Sequence, residues 1–161
     1  MDEIKRLREA VCHKNEVKRA FLFSLNTGLR WVDVKGLMWK HIDNDMVKLM
    51  QAKTGKEVVV YLNDAANTIL AERGRRDELV FNLPCAAYAN TMLMYWVEAA
   101  SIDKHITWHC ARHSFAVNLL INGVDVKTVS SLLGHSGLKH TEKYTRVVDE
   151  LKRQAVKTIN C

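Results

Sequence analysis

The stretch Thr107–Thr145, TWHCARHSFAVNLLINGVDVKTVSSLLGHSGLKHTEKYT, decides how the chain is read. It opens as a helix in which His109 and Arg112 stand three apart, so both side chains leave one face of the first turns. Phe115 and Leu119 recur at helical spacing, with Ala111 one turn earlier on the same row. Asn122-Gly123 stops this helix, glycine being the usual residue just past a helix end. Asp125 caps a second helix whose inward stripe is Val126, Val129 and Leu133. Gly134 ends that helix, His135 follows at once, and Tyr144 stands nine positions further on. Two histidines, an arginine and a tyrosine are thus carried on helix ends, where side chains from separate helices can converge on one ligand.

Upstream, residues 2–12 read as a helix with Ile4, Leu7 and Val11 as its apolar stripe and Lys5, Arg6 and Arg8 on the wet face. A second helix, with Asn15 as its cap, places Val17, Ala20, Phe21, Ser24 and Leu25 on one side. It ends at Thr27-Gly28-Leu29-Arg30, where Gly28 takes the left-handed cap position and holds Arg30 at a backbone corner. A short helix from Trp31 to about Trp39 comes next, with Asp33 within reach of Arg30. Alternation over 46–50 and a valine-rich run over 57–62 predict a β-hairpin whose turn is Lys53-Thr54-Gly55-Lys56. Lys53 therefore sits at a projecting hairpin end. Asn63 caps a helix to about Glu72, and a helix over Ala87–Ala100, apolar nearly all round, is expected to be central. Residues 147–159 form one more helix with Val148, Leu151, Ala155 and Ile159 in register. That stripe must bury, either on a neighbouring copy or on its own domain, and we expect the latter without DNA. The sum is an α+β, predominantly α-helical single domain of packed helices with a small antiparallel β-hairpin or sheet near residues 41–62.

A chain of 161 residues is long enough for one domain with a substantial core. No apolar run reaches the ~18–20 residues of a membrane span, and the charged N-terminus is not a signal peptide. The net charge of +6 and a pI near 9.2 favour a polyanionic partner, nucleic acid first and an anionic membrane surface second. Cys12, Cys85, Cys110 and Cys161 are scattered without a CxxC pair, and read as reduced thiols of a cytosolic protein. His109 and His113 lie at i, i+4, but the helical zinc-protease motif needs Glu where Cys110 stands.

In chain order the polar residues singled out are Arg30, Lys53, His109, Arg112, His135 and Tyr144. Together they make poor core packing and a good site for an anion with several oxygens. Arginine's planar fork matches phosphate bidentately, and a tyrosine hydroxyl is a nucleophile once its deprotonation is assisted.

The motifs holding these residues resemble those of the tyrosine recombinase, or phage integrase, family. They are TGLRWVD around Arg30, QAKTGKEVVVYL around Lys53, HCARHSFA around His109 and Arg112, LLGH ending at His135, and TEKYT around Tyr144. Each is weak alone; in this order, with 23 positions from Arg112 to His135, they are specific. The resemblance covers nearly the whole chain and looks like the family's C-terminal catalytic domain, residues 1–161, without the N-terminal core-binding domain of most relatives. A start directly on a helix favours a fragment of a mobile-element integrase over a naturally short recombinase. One departure is Tyr61, where relatives often carry proline.

The resemblance implies a site-specific DNA recombinase that cleaves and rejoins DNA through a covalent 3′-phosphotyrosine, for integration or excision of a mobile element. It makes Tyr144 the nucleophile, Arg30 and Arg112 the clamp on the scissile phosphate, and His135 a hydrogen-bonding partner of that phosphate. His109 becomes the proton acceptor for the tyrosine, Lys53 the general acid for the departing 5′-hydroxyl, and Asp33 a support behind the arginines. Neither metal nor nucleotide cofactor is needed. The implied partners are double-stranded DNA attachment sites, an accessory DNA-bending protein, and other protomers in a synaptic tetramer formed from monomers. The implied location is cytoplasmic, on the nucleoid, with no membrane. Competing readings are a type IB topoisomerase, which uses similar chemistry to relax supercoils, a catalytically silent DNA-binding regulator, and a generic basic helical interaction domain. The compact LGH followed nine residues on by tyrosine favours the recombinase.

Overall fold

The computed structural model describes residues 2–70, 73–134 and 144–157. Its elements run α1 (Asp2–Glu9), α2 (Asn15–Thr27), α3 (Trp31–Lys35), a 3₁₀ turn (Trp39–His41), β1 (Ile42–Asp43), β2 (Met46–Met50), β3 (Glu57–Tyr61), α4 (Asp64–Leu70), α5 (Ala86–Ala99), α6 (Trp108–Ile121), α7 (Val126–Leu132) and α8 (Thr145–Lys157). The three strands form one antiparallel sheet in the order β1-β2-β3. Predominantly helical content around a small sheet is the class read from the sequence. Glu72, His135, Ile159 and Cys161, on which sequence readings fall, lie outside the described residues.

Helix α2 is the centre of the molecule and packs against α6, α4 and α5. Its inward face is Val17, Ala20, Phe21, Ser24 and Leu25, joined by Phe23 and Thr27. Phe21 meets Trp96 of α5 and Trp108 of α6 edge-on, at centroid distances of 5.7 and 5.5 Å. Edge-to-face contacts of this kind suit the aromatic quadrupole, and they fix α5 and α6 about α2. Helix α5 is therefore not the central element that its composition suggested. It buries Ala89, Leu93, Trp96 and Val97, the stripe that helical periodicity allows, and leaves Tyr88, Met94 and Tyr95 exposed. Composition alone does not show which side of an all-apolar helix meets a neighbour.

The sheet follows its alternation. Val47 and Leu49 point inward from β2, while Lys48 and Met50 face out. Val47 pairs with Val60, Leu49 with Val58 and Met46 with Tyr61. Tyr61 is an ordinary, exposed strand-end residue, so its replacement of proline leaves the register intact. One cap and one helix end depart from the sequence reading. Helix α2 is preceded by Lys14 in extended conformation with no side-chain cap, so Asn15 is its first residue. The third helix stops at Lys35, and a separate 3₁₀ turn supplies Trp39. The Asp125 cap is as expected, its carboxylate accepting from the amides of Lys127 and Thr128. Asn63 accepts from the amide of Ala66 at the start of α4.

A second, smaller cluster joins Ala116 and Leu120 of α6 to Val129, Leu133 and Tyr144, with Val147 and Val148 of α8 packed against it. Helix α8 thereby lies on α6 of its own chain. Between the two clusters stands the α2–α3 corner. Gly28 caps α2 at φ 70°, its amide donating to the Ser24 carbonyl at 2.8 Å. Ser24 Oγ in turn donates to the Leu29 carbonyl at 2.7 Å. A Cβ on Gly28 would fall 2.5 Å from Phe115 Cδ1 and 3.0 Å from Leu133 Cδ2, so glycine is required by both backbone angle and space. Gly55 shares the left-handed angle at φ 62°, but has open space around it. Gly55→Ala should thus cost about 1–2 kcal/mol for backbone strain alone. Gly28→Ala should cost about 2–5 kcal/mol, with overpacking added to strain. Urea unfolding of the two variants checks this, and equal losses would show that the α2–α6 contact at Gly28 is not tight.

Candidate active site

The corner built by Gly28 presents its carbonyl oxygen to α6. There Arg112, only 3% exposed, donates from Nη1 to the Gly28 carbonyl and from Nη2 to the Leu133 carbonyl, each at 2.7 Å. One planar guanidinium thus joins the end of α2 to the end of α7. Charged hydrogen bonds contribute roughly 1.5–3 kcal/mol each, which offsets part of the desolvation. The remainder shows in the acidity: burial, and then the positive charge of Arg30, pull Arg112 down to about 10, opposed by Tyr144 and Asp33. At neutral pH it is still a cation.

Arg30 sits at the start of α3, half-buried, and donates from Nη1 to Gln51 Oε1 at 2.8 Å. The sequence suggested that Asp33 would orient Arg30. The buried Asp33 carboxylate instead accepts from the Ala52 amide at 2.9 Å through Oδ1. It therefore anchors the turn bearing Lys53 while adding negative charge near Arg112. Its Oδ2 is buried and accepts no hydrogen bond among the described residues. Lys53 itself is exposed on the turn between β2 and β3. Tyr144, 1% exposed, lies at the head of α8 and stacks on His113 with ring centroids 5.0 Å apart and planes at 26°. Burial raises the Tyr144 phenol above its ordinary value, and the Arg112 charge opposes that rise. His109 is exposed on the first turn of α6, one turn before Arg112.

The structure therefore gathers Arg30, Arg112, Asp33 and Tyr144 around one locus, with Lys53 on the adjoining turn and His109 on the same helix as Arg112. Residues from four stretches of sequence, spread over more than a hundred positions, meet there.

A family model described as the phage integrase family matches residues 1–150. The chain belongs to the phage integrase family. Among its relatives, tyrosine recombinase XerA of Saccharolobus solfataricus is 28% identical over 155 residues, covering 92% of this chain and 52% of the relative. Tyrosine recombinase XerC of Listeria monocytogenes is 31% identical over 171 residues, covering 92% of this chain and 57% of the relative. The chain thus spans about half the length of these curated relatives. The solved structure of the catalytic domain of bacteriophage HP1 integrase shares the fold, with a TM-score of 0.73 and 23% identity, covering 97% of this chain and 90% of that one.

Within this integrase fold, two residues that the sequence reading passed over stand in the site. Gln51 is 1% exposed and hydrogen-bonded on both sides of its amide. Strand alternation carries a signal for it, since Val47, Leu49 and Gln51 share the inward parity of β2 and a polar side chain there needs partners. His113 was weighed only as a zinc ligand with His109, and its stacking on Tyr144 arises from the packing of α8 on α6. No local pattern encodes that contact.

The weakened acidity of the buried Tyr144 phenol has a stability consequence. Around and above pH 10 the unfolded chain releases the phenolic proton before the folded one, so the folded state binds more protons and stability falls as pH rises. Tyr144→Phe removes this contribution. Between about pH 8 and about pH 10.5, the parent should lose more stability in urea unfolding than Tyr144→Phe does. Equal losses would show that Tyr144 is not buried in the folded chain.

Proposed function

We propose that this chain is the catalytic domain of a site-specific tyrosine recombinase, acting on double-stranded DNA attachment sites in the integration or excision of a mobile element. The observation that carries the reading is the placement of Arg112. Its guanidinium binds the carbonyls of the TGLR and LLG motifs at once, beside Tyr144, so the scattered motifs converge physically. The recombinase and integrase names of the relatives support the same reading.

In the proposed reaction the Tyr144 hydroxyl oxygen attacks the scissile phosphorus as its proton passes to His109. The new bond is phosphorus to Tyr144 oxygen, and the bond that breaks joins phosphorus to the 5′-oxygen of the next nucleotide. That oxygen leaves with a proton from Lys53, whose exposed turn position lets it reach a leaving group. Arg30 and Arg112 hold the non-bridging oxygens and stabilise the charge that builds in the pentavalent transition state. His135 adds a hydrogen bond to the same phosphate. The phosphotyrosine keeps the energy of the phosphodiester, so a 5′-hydroxyl from another strand reverses the steps and rejoins DNA without a cofactor. Strand exchange between two sites calls for further protomers, which gather as a tetramer on paired sites, with an accessory DNA-bending protein aiding their approach.

Incubation with nicked duplexes carrying candidate attachment sites tests this as a covalent protein–DNA band resistant to denaturation. Tyr144→Phe should fold and bind DNA while forming no adduct; an adduct would show that another residue is the nucleophile. Recombinants between two marked sites, rather than relaxed circles alone, separate a recombinase from a topoisomerase.

Lys53 has its own test. Losing a general acid slows a reaction by roughly 10²–10⁴-fold, so Lys53→Ala should cut the cleavage rate by that factor. A substrate with sulfur at the bridging 5′ position releases a thiolate that needs no proton. Lys53→Ala should cleave it nearly as fast as the parent, whereas Arg112→Ala stays slow. An equal defect of Lys53→Ala on both substrates would leave Lys53 as a phosphate contact only.

A further inference from the structure

Gln51 links Arg30 to Arg112 and to the root of the Lys53 turn through described bonds. Its Oε1 accepts from Arg30 Nη1 at 2.8 Å and from Thr54 Oγ1 at 2.9 Å. Its Nε2 donates to the Leu133 carbonyl at 3.2 Å, the carbonyl that also accepts from Arg112 Nη2 at 2.7 Å. A continuous path therefore runs from Arg30 through the Gln51 amide and the Leu133 carbonyl to Arg112. The Gln51 backbone closes the root of the turn that carries Lys53: its amide donates to Lys56 at 2.8 Å, and its carbonyl accepts from Gly55 at 2.9 Å. Gly134, at φ 63°, leaves room for the amide, since a Cβ there would fall 2.9 Å from both Gln51 Nε2 and Oε1.

The chemistry of the amide suits two neighbouring guanidiniums. Arg30 lowers the affinity of Arg112 for its proton, so the two charges feel one another. A carboxylate at position 51 would hold Arg30 as an ion pair and cancel charge that a phosphate would use. An aliphatic side chain would leave Arg30 without its anchor. A neutral amide fixes the direction of the guanidinium and leaves its charge uncompensated.

We propose that Gln51 is a positioning residue: acting through Arg30 and through the Leu133 carbonyl it shares with Arg112, it sets the spacing of the two guanidiniums and registers the Lys53 turn against them. What the guanidiniums grip rests on the recombinase reading; the placement itself does not.

The test is a double-mutant cycle on the whole chain, using Gln51→Met, Arg30→Ala and their combination. The readouts are single-turnover adduct formation at saturating protein, DNA affinity and thermal midpoint. Misplacing a binding group by about 1 Å can cost about 10²-fold, so Gln51→Met should slow adduct formation by that order and weaken DNA binding far less. In the Arg30→Ala background the second substitution should cost clearly less than it does in the parent, because one of the two guanidiniums it positions is gone. A defect that multiplies with that of Arg30→Ala, or a folded Gln51→Met within about threefold of the parent, would overturn the proposal. Should Gln51→Met fail to fold, Gln51→Ala, which likewise removes the amide without adding a charge, replaces it in the same cycle under the same criteria.

An arm independent of activity is NMR of the arginine guanidinium groups in the free protein. Rotation of the Arg30 guanidinium should quicken in the folded Gln51 variant, and unchanged Arg30 signals would overturn the proposal. If the parent forms no adduct on any duplex, the recombinase reading fails, and this measurement alone decides the role of Gln51.

Discussion

A guanidinium taken out of water is destabilising unless its donors are met, and the arrangement around Arg112 follows from that requirement. Two of its nitrogens reach backbone carbonyls at 2.7 Å, one at the end of α2 and one at the end of α7. Neither carbonyl would be available in the middle of a helix, where it accepts from the amide four residues on. The helices therefore have to stop where they do. Gly28 and Gly134, both left-handed, turn the chain at these two places and leave the helix ends facing Arg112. A core of ordinary hydrophobic contacts brings α2 and α6 together, and the buried cation fixes their terminal geometry.

The sheet side of the site obeys the same logic at lower charge. Asp33 holds the Ala52 amide, Gln51 holds Arg30, and both bonds root the β2–β3 turn in the helical part. Lys53 can thus project into solvent from a turn whose base is fastened at two points. The reach of a flexible lysine and the fixed position of its backbone are separate properties, and the structure provides each by a different means.

Much of this was legible in the chain because it rests on local rules. Helical spacing located the inward faces of α2 and α7, alternation located β2 and β3, and the glycines at 28, 123 and 134 marked real helix ends at positive φ. What escaped depends on which surfaces meet. Helix α5 is apolar on nearly every side, so only Trp96 against Phe21 shows which side is inward. Arg30 and Asp33 are close in sequence, yet each side chain turns to the β2–β3 region, because the partners there are presented by the sheet and not by the helix. Gln51 lies one residue past β2 and continues the inward parity of Val47 and Leu49. An uncharged amide gives a weak signal in sequence, although a buried one demands partners as firmly as most groups do.

The pairing of these cations also bears on affinity. In most proteins a buried arginine is met by a carboxylate, which neutralises it. Here the hydrogen-bond partners of Arg112 are two carbonyls and that of Arg30 is an amide oxygen, all dipoles without net charge. Among the described residues, Asp33 is the one carboxylate felt by Arg112, and it spends a hydrogen bond on Ala52. Dipoles hold a guanidinium in place while leaving its charge exposed to whatever enters. Burial, and then the neighbouring charge of Arg30, pull Arg112 down to about 10, so holding the two guanidiniums on dipoles alone costs stability. On the proposed recombinase reading, a phosphate entering between the two guanidiniums would bring the negative charge they lack, and stability forgone in the free domain would return as binding. A site neutralised in advance by carboxylates would be more stable when empty, and would have to break those ion pairs before it could take a phosphate.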